Sequence, residues 1–167
     1  MTGRWRGRSA VLAIAIASTL LVVAAAGAVG RDAQRSLVVS LPDGTEVARL
    51  ALPDDGSFSL RYRNSLYGTL AEERFTVTAS NELRLVGLAA DQLAVLEEYY
   101  AIDEPARRSN GAQAWTADPA HVPVIRELRV AATDRGERTL LVEGAPPMEL
   151  WRFVDDATPS VLLSVDR

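Results

Sequence analysis

The sequence predicts an all-β domain, an antiparallel β-sandwich or open barrel of about nine short strands, preceded by one N-terminal hydrophobic helix. Three observations favour this fold. Short segments alternate apolar and polar residues, as strands with one buried face do. Turn residues such as Pro42-Asp43-Gly44 separate these segments at intervals of roughly eight to twelve residues. A single long apolar run stands near the N-terminus, ahead of all the alternating segments.

The first thirty residues differ from the rest of the chain. Three arginines within the first eight residues precede an uncharged run over residues 10–29. The length of the run favours an uncleaved single-pass anchor in the cytoplasmic membrane, while alanines spaced as A-x-A leave a removed signal peptide open. Because the arginines should stay in the cytoplasm, we predict a signal peptide or anchor over 1–30 and an extracytoplasmic β-domain over 31–167. The domain would be membrane-bound, or secreted after cleavage.

The composition excludes several kinds of site. The chain has no cysteine, no lysine and one histidine, so it has no disulfide and too few ligands for a histidine and cysteine metal site. Residues 31–167 hold fifteen arginines and twenty-two acids, a net charge of −7, which does not favour binding to nucleic acid. No glycine loop that would hold a phosphate is present, and we predict no cofactor.

The stretch from residue 58 to residue 79 is predicted to form a central hairpin with a two-residue turn at Gly68 and Thr69. Both strands then bury one apolar face. The predicted register places three pairs opposite one another, which are Tyr62 and Phe75, Leu60 and Val77, and Asn64 and Glu73. The last pair puts an amide and a carboxylate on the core-facing side near the turn. They form either a binding site or a structural hydrogen bond.

The opposite face of this hairpin carries Arg61 and Arg63, two residues apart on one strand. Such a pair can hold a carboxylate with bidentate geometry, or it can be a solvent-facing pair that balances nearby acids. The same register sets Arg63 against Arg74, a like-charge pair that Glu72 would relieve.

The remaining segments complete the predicted strands. Residues 134–137 are predicted to link two strands as a hairpin, and the last two strands are predicted to pair with each other. The segment 91–100 has helical spacing but is short, so the sequence leaves a helix open. The other predicted strands cover 36–41, 45–52, 83–88, 127–133, 138–143, 149–154 and 160–165.

Residues 103–123 show no periodicity, which is uncommon for a loop of this length in a compact domain. Trp115 and His121 are the candidates in this loop for a lid that touches a ligand. The alternative is that Trp115 pins the loop to the core.

The central hairpin contains the pattern F-x-L-x-Y-x-[HN]-S followed by a glutamate and an aromatic, at Phe58, Leu60, Tyr62, Asn64, Ser65, Glu73 and Phe75. In this pattern it resembles the domain of unknown function 1850 family, a family of small exported bacterial proteins. The resemblance also covers the order of segments through Leu128 and Val130. Members are often encoded beside TRAP-type transporters, so the resemblance implies an accessory role in solute uptake.

Three functions follow from these patterns. The first is a non-enzymatic, membrane-tethered accessory domain that assists a TRAP-type transporter and contacts its subunits. The second is a module that binds a small carboxylate. The third is an envelope hydrolase built on Glu73 and His121, although no G-x-S-x-G motif and no catalytic constellation is present. The candidate ligand-binding residues are Arg61, Arg63, Asn64, Glu73 and Trp115.

Overall fold

The computed structural model describes residues 34–122 and 124–166. The predicted hydrophobic helix, the segment 1–30 and the membrane contact through residues 10–29 lie outside the described residues. Within the described ranges, no helix has the length and apolar character that a membrane crossing requires.

The described residues form twelve strands, one short α-helix and one 3-10 turn. The helix α1 is Leu93–Tyr99 and the 3-10 turn is Leu150–Phe153. The strands are β1 Ser36–Ser40, β2 Glu46–Ala51, β3 Phe58–Arg63, β4 Leu70–Val77, β5 Leu83–Ala90, β6 Arg107–Arg108, β7 Trp115–Ala117, β8 Val124–Ile125, β9 Glu127–Ala131, β10 Thr139–Leu141, β11 Met148–Glu149 and β12 Ser160–Asp166.

The strands make two antiparallel sheets, which confirms the predicted all-β antiparallel class. The smaller sheet has the order β2-β1-β12-β9. The larger sheet has the order β11-β10-β3-β4-β5-β7-β6, and β8 also pairs with β5. An all-β sandwich fits this arrangement, because residues from both sheets share one core.

One face of the larger sheet has two different covers. Near one end of the strands, the smaller sheet packs on it and closes a core that includes Leu60, Phe75, Leu140 and Leu163. Towards the other end, helix α1 covers a second cluster. Its buried members are Tyr62, Ala71, Leu88, Ala90, Val95, Leu96 and Ala117. Strand β3 contributes residues of the same face to both clusters, since Leu60 belongs to the first core and Tyr62 to the second cluster.

The register of the central hairpin differs from the predicted one. Tyr62 lies opposite Ala71 and not Phe75, and Leu60 lies opposite Glu73 and not Val77. The predicted opposition of Asn64 and Glu73 is therefore wrong. The cause is the turn, because the strands end at Arg63 and Leu70 and leave a six-residue loop in place of a two-residue one. An even shift keeps the buried faces together, and in the observed register Phe58 lies opposite Phe75 and stacks on it at 5.1 Å.

The predicted pairing of Arg63 with Arg74 is also wrong. Arg74 lies opposite Ser59, and Arg61 lies opposite Glu72. The Glu72 carboxylate accepts hydrogen bonds from Arg61 Nη2 at 3.1 Å and Arg74 Nε at 3.0 Å. One buried acid thus compensates two arginines on the face that carries no helix.

The predicted pairings in the C-terminal third are wrong. β9 pairs with β12 in the smaller sheet, whereas β10 pairs with β3 in the larger one, so the chain crosses between sheets at residues 132–138. The predicted strand 149–154 is mostly the 3-10 turn, and β12 pairs with β1 and β9. Alternation identified these strands as strands, but partners far apart in sequence are set by packing.

The segment 91–100 contains helix α1, and the described part of the predicted loop, residues 103–122, contains a small hairpin. β6 and β7 pair with each other, and β7 adds to β5 at the edge of the larger sheet. An isolated bridge joins Ile102 to Pro119. Because each strand has only two or three residues, no alternation is visible in the sequence.

Gly56 is the glycine whose conformation and surroundings both restrict substitution. Its φ is +68°, and a Cβ there would lie 3.0 Å from Val77 Cβ and 3.1 Å from Arg35 Nη2. Arg35 lies here because its guanidinium donates to the carbonyls of Val77, Thr78 and Asp54. Gly44 is the natural control, with φ +89° and nothing within 4 Å of such a Cβ.

We predict that Gly56→Ala destabilises the protein more than Gly44→Ala does. Both changes place an alanine at positive φ, which costs about 1–2 kcal/mol. Crowding against Val77 and Arg35 should add about 1–3 kcal/mol at Gly56. Urea denaturation of the two variants measures the difference, and equal losses would show that the close approach at Gly56 is relaxed at no cost.

Candidate functional site

A cleft of about 380 Å³ opens where the two covers of the larger sheet meet. We call it the seam cleft and define it by Tyr62, Asn64, Glu73, Tyr100, Arg135 and Arg138. Glu73 marks the boundary, because it lies opposite Leu60 of the first core on one side and Leu88 of the second cluster on the other. The segment between β9 and β10 forms one wall, and the end of α1 forms another.

The floor of the cleft is a chain of hydrogen bonds that ends in an ion pair. The hydroxyls of Tyr62 and Tyr100 are 2.7 Å apart, and Tyr100 Oη donates to Glu73 Oε1 at 2.7 Å. Since the Tyr100 proton goes to Glu73, Tyr62 donates to Tyr100. Arg138 Nη1 donates to Glu73 Oε2 at 3.2 Å, and its guanidinium lies 4.6 Å from the centre of the Tyr62 ring. The carboxylate is thereby held from two sides, with both oxygens occupied.

Burial at the floor favours the neutral form of both phenols. Desolvation is the main cause that raises the pKa of Tyr100 above its ordinary value of 10.0, and the negative charge of Glu73 adds to it. Desolvation also raises the pKa of Tyr62. Both phenols therefore act as hydrogen-bonding groups, and neither is a ready source of a phenolate at neutral pH.

Asn64 is oriented by the loop that it begins. Its side-chain Oδ1 accepts hydrogen bonds from the backbone N–H groups of Leu66 and Tyr67, each at 3.0 Å. Its backbone closes the same loop, accepting from Gly68 N and donating to Thr69 O, both at 2.8 Å. The residue is only 4% exposed, and it lines the cleft. Because the oxygen is used by the loop, the amide nitrogen is the end that remains for a ligand.

Two further arginines give the mouth of the cleft its charge. Arg63 donates to Glu137 Oε2 at 3.0 Å and to the carbonyl of Gly68 at 3.0 Å. Arg135, which also lines the cleft, makes no ion pair or hydrogen bond with any described residue. The ion pair of Arg63 with Glu137 is exposed, so it contributes little to stability while it balances the charge of Arg63. The cleft as a whole thus presents cationic donors.

The structure brings together some of the predicted site residues and separates others. Arg63, Asn64 and Glu73 all line the seam cleft. Arg61 is bound to Glu72 and is not among the residues that line the cleft, whereas Arg63 is bound to Glu137, so the two arginines do not form a clamp. Trp115 is on β7, where it packs against the second cluster and under Arg108 at 4.6 Å, away from the cleft lining.

Four of the residues that define the cleft were not among the predicted site residues, namely Tyr62, Tyr100, Arg135 and Arg138. Tyr62 was predicted only as a buried residue of the hairpin. Arg135 lies within the predicted turn 134–137 and Arg138 directly after it, and no local pattern distinguishes them from the other arginines. Tyr100 ends the segment 91–100, where the apolar spacing suggested a core contact. A crossover between sheets brings the arginines to Glu73, so only the tertiary fold could have identified them.

The residues proposed for hydrolysis are not neighbours. His121 is exposed and is not among the residues that line the seam cleft with Glu73. Among residues 34–122 and 124–166, no three or more His, Asp and Glu side chains gather as a metal ion would require. What the cleft offers is N–H donors with an excess of positive charge, a chemistry that suits an anionic ligand.

Comparison with protein-family models, with curated proteins and with solved structures finds no match to this chain. The evidence for the function of this domain is therefore the geometry of the seam cleft.

We predict that stability falls above about pH 10 and that Tyr100 causes much of the fall. Because the pKa of Tyr62 and of Tyr100 is raised in the folded protein, the unfolded chain loses these protons first as the pH rises. The stabilisation is present below the ordinary pKa of 10.0 and is lost above it. With neither lysine nor cysteine in the chain, tyrosines dominate the titration in this range.

Urea denaturation between about pH 8 and about pH 11 measures this slope for Tyr100→Phe and Tyr99→Phe. Tyr99 is half exposed and makes no hydrogen bond with a described residue, so its variant should match the wild type. Tyr100→Phe should lose about 1–3 kcal/mol at neutral pH, for two missing hydrogen bonds, and show a shallower alkaline slope. An unchanged slope in Tyr100→Phe would contradict the prediction.

Proposed function

We propose that the domain is a non-enzymatic, extracytoplasmic recognition module that binds a small organic carboxylate in the seam cleft. The observation that carries this proposal is Arg135, an arginine that lines the cleft and has no partner among the described residues. Guanidinium groups bind carboxylates by short, charge-assisted hydrogen bonds. The volume of about 380 Å³ is that of a small-molecule site.

The organisation of the floor supports binding over acid–base chemistry in this proposal. Both oxygens of Glu73 are engaged, by Tyr100 and by Arg138. The two side chains of the ion pair are 16% and 23% exposed, so the pair is sheltered and holds its geometry. A fixed, largely neutralised floor under cationic side chains is a preorganised site for an anion.

The proposal predicts that Arg135→Ala weakens carboxylate binding by about tenfold or more. Thermal shift and titration calorimetry with propionate, lactate, succinate and malate measure the effect, with propylamine as the cationic control. Arg126→Ala is the matched control, since Arg126 is 90% exposed and does not line the cleft. If none of the acids binds, or both variants bind like wild type, the cleft is not the proposed site.

A second proposal is that the domain is a membrane-tethered accessory of a TRAP-type transporter, contacting its subunits. The uncharged run over residues 10–29 and the resemblance of the central hairpin support it. A carboxylate-binding cleft outside the cytoplasmic membrane is compatible with such a role. We expect transporter subunits to co-purify with the protein from membranes, and solute uptake to fall in a deletion strain. Intact uptake together with the absence of any partner would argue against it.

A further inference from the structure

The orientation of Asn64 and the charge of the seam cleft together restrict the class of ligand. Because Leu66 and Tyr67 N–H groups both bind Asn64 Oδ1, the amide cannot turn its oxygen to a ligand without losing the loop's hydrogen bonds. The amide nitrogen donates to no described residue, although the side chain is almost wholly buried at the cleft wall. The nitrogen is not among the buried side-chain atoms of the described residues that lack a partner, so it is the end of the amide that can donate to an acceptor in the cleft.

The charges around the cleft leave room for one negative charge. Arg63, Arg135 and Arg138 face the cleft. Glu137 pairs with Arg63 at 3.0 Å, and Glu73 pairs with Arg138 at 3.2 Å. Three positive charges against two negative ones leave an excess of one, carried by Arg135.

We infer that the seam cleft selects a monocarboxylate, whose carboxylate is bound by Arg135 and by the Asn64 amide nitrogen. This inference rests on the proposed carboxylate-binding function. A second carboxylate on the ligand would have no unpaired cation to meet and would lie near Glu73 or Glu137. Taking an unpaired charge out of water is unfavourable, so dicarboxylates bind more weakly than monocarboxylates of the same skeleton.

Titration calorimetry on the full-length protein tests whether the cleft prefers monocarboxylates to dicarboxylates. The matched pairs are propionate against succinate and lactate against malate. We expect each monocarboxylate to bind about tenfold more tightly than its partner. Tighter binding of succinate and malate would overturn the monocarboxylate inference and leave the carboxylate-binding function standing. No binding by any of the four acids would overturn both.

Asn64→Asp tests the role of the amide nitrogen. The new carboxylate keeps an acceptor for the Leu66 and Tyr67 N–H groups, so the loop is retained, but it replaces the donor with a negative charge. Binding of the monocarboxylates should weaken by more than about tenfold. Asn110→Asp, which makes the same change of charge on an exposed loop, should bind as the wild type does.

Circular dichroism and the urea midpoint establish whether Asn64→Asp is folded. A folded Asn64→Asp that binds propionate as tightly as wild type overturns the role of Asn64. Should that variant fail to fold, Arg135→Gln decides, because removing the single unpaired charge should abolish the preference for propionate over succinate. Arg126→Gln is the control for this variant. If Arg135→Gln still prefers propionate to succinate, the inference that the unpaired charge of Arg135 selects a monocarboxylate is overturned.

Discussion

The position of Glu73 is the constraint from which the cleft follows. It lies on the covered face of the larger sheet, between a core closed by the smaller sheet and a cluster closed by helix α1. A carboxylate in such a place needs partners, because a sheltered charge without them is strongly unfavourable. Tyr100, directly after α1, and Arg138, directly before β10, supply them. The acid thus ties three separate segments together, and the polar seam that results is the cleft.

The sequence allowed the faces of the central hairpin to be predicted but not its register. Successive side chains of a strand point to opposite faces, so only a shift by an odd number of residues would change the buried face. The observed register differs from the predicted one by an even number, and Phe58, Leu60 and Tyr62 therefore remain on the buried side. The register depended on the turn, where the side chain of Asn64 binds two backbone N–H groups and opens the loop to six residues. That turn chemistry competes with the glycine-first turn and is visible only once the loop is formed.

Long-range pairing explains why only part of the site could be found in advance. Arg63, Asn64 and Glu73 are close along the chain and share a hairpin, so local patterns identified them together. Arg135 and Arg138 reach the cleft because residues 132–138 pass from the smaller sheet to the larger one. A hairpin across residues 134–137 would satisfy the same local sequence pattern as the observed crossover between the sheets. Which of the two arrangements forms is decided by which strand faces can be buried. Nothing within a few residues of Arg138 encodes its contact with Glu73.

The arrangement of the cleft also links binding to the integrity of the fold. Asn64 belongs to the hairpin loop, and Arg135 belongs to the crossover between the sheets. In the proposed binding mode, an anion held by both would bridge the two elements that flank the seam, and it would bind the folded chain but have no such site in the unfolded one. Ligand binding would therefore add its own free energy to that of folding. The unpaired charge of Arg135 and the unused donor of Asn64 are then features that the ligand completes, while Glu73, Tyr100 and Arg138 keep the seam fixed in its absence.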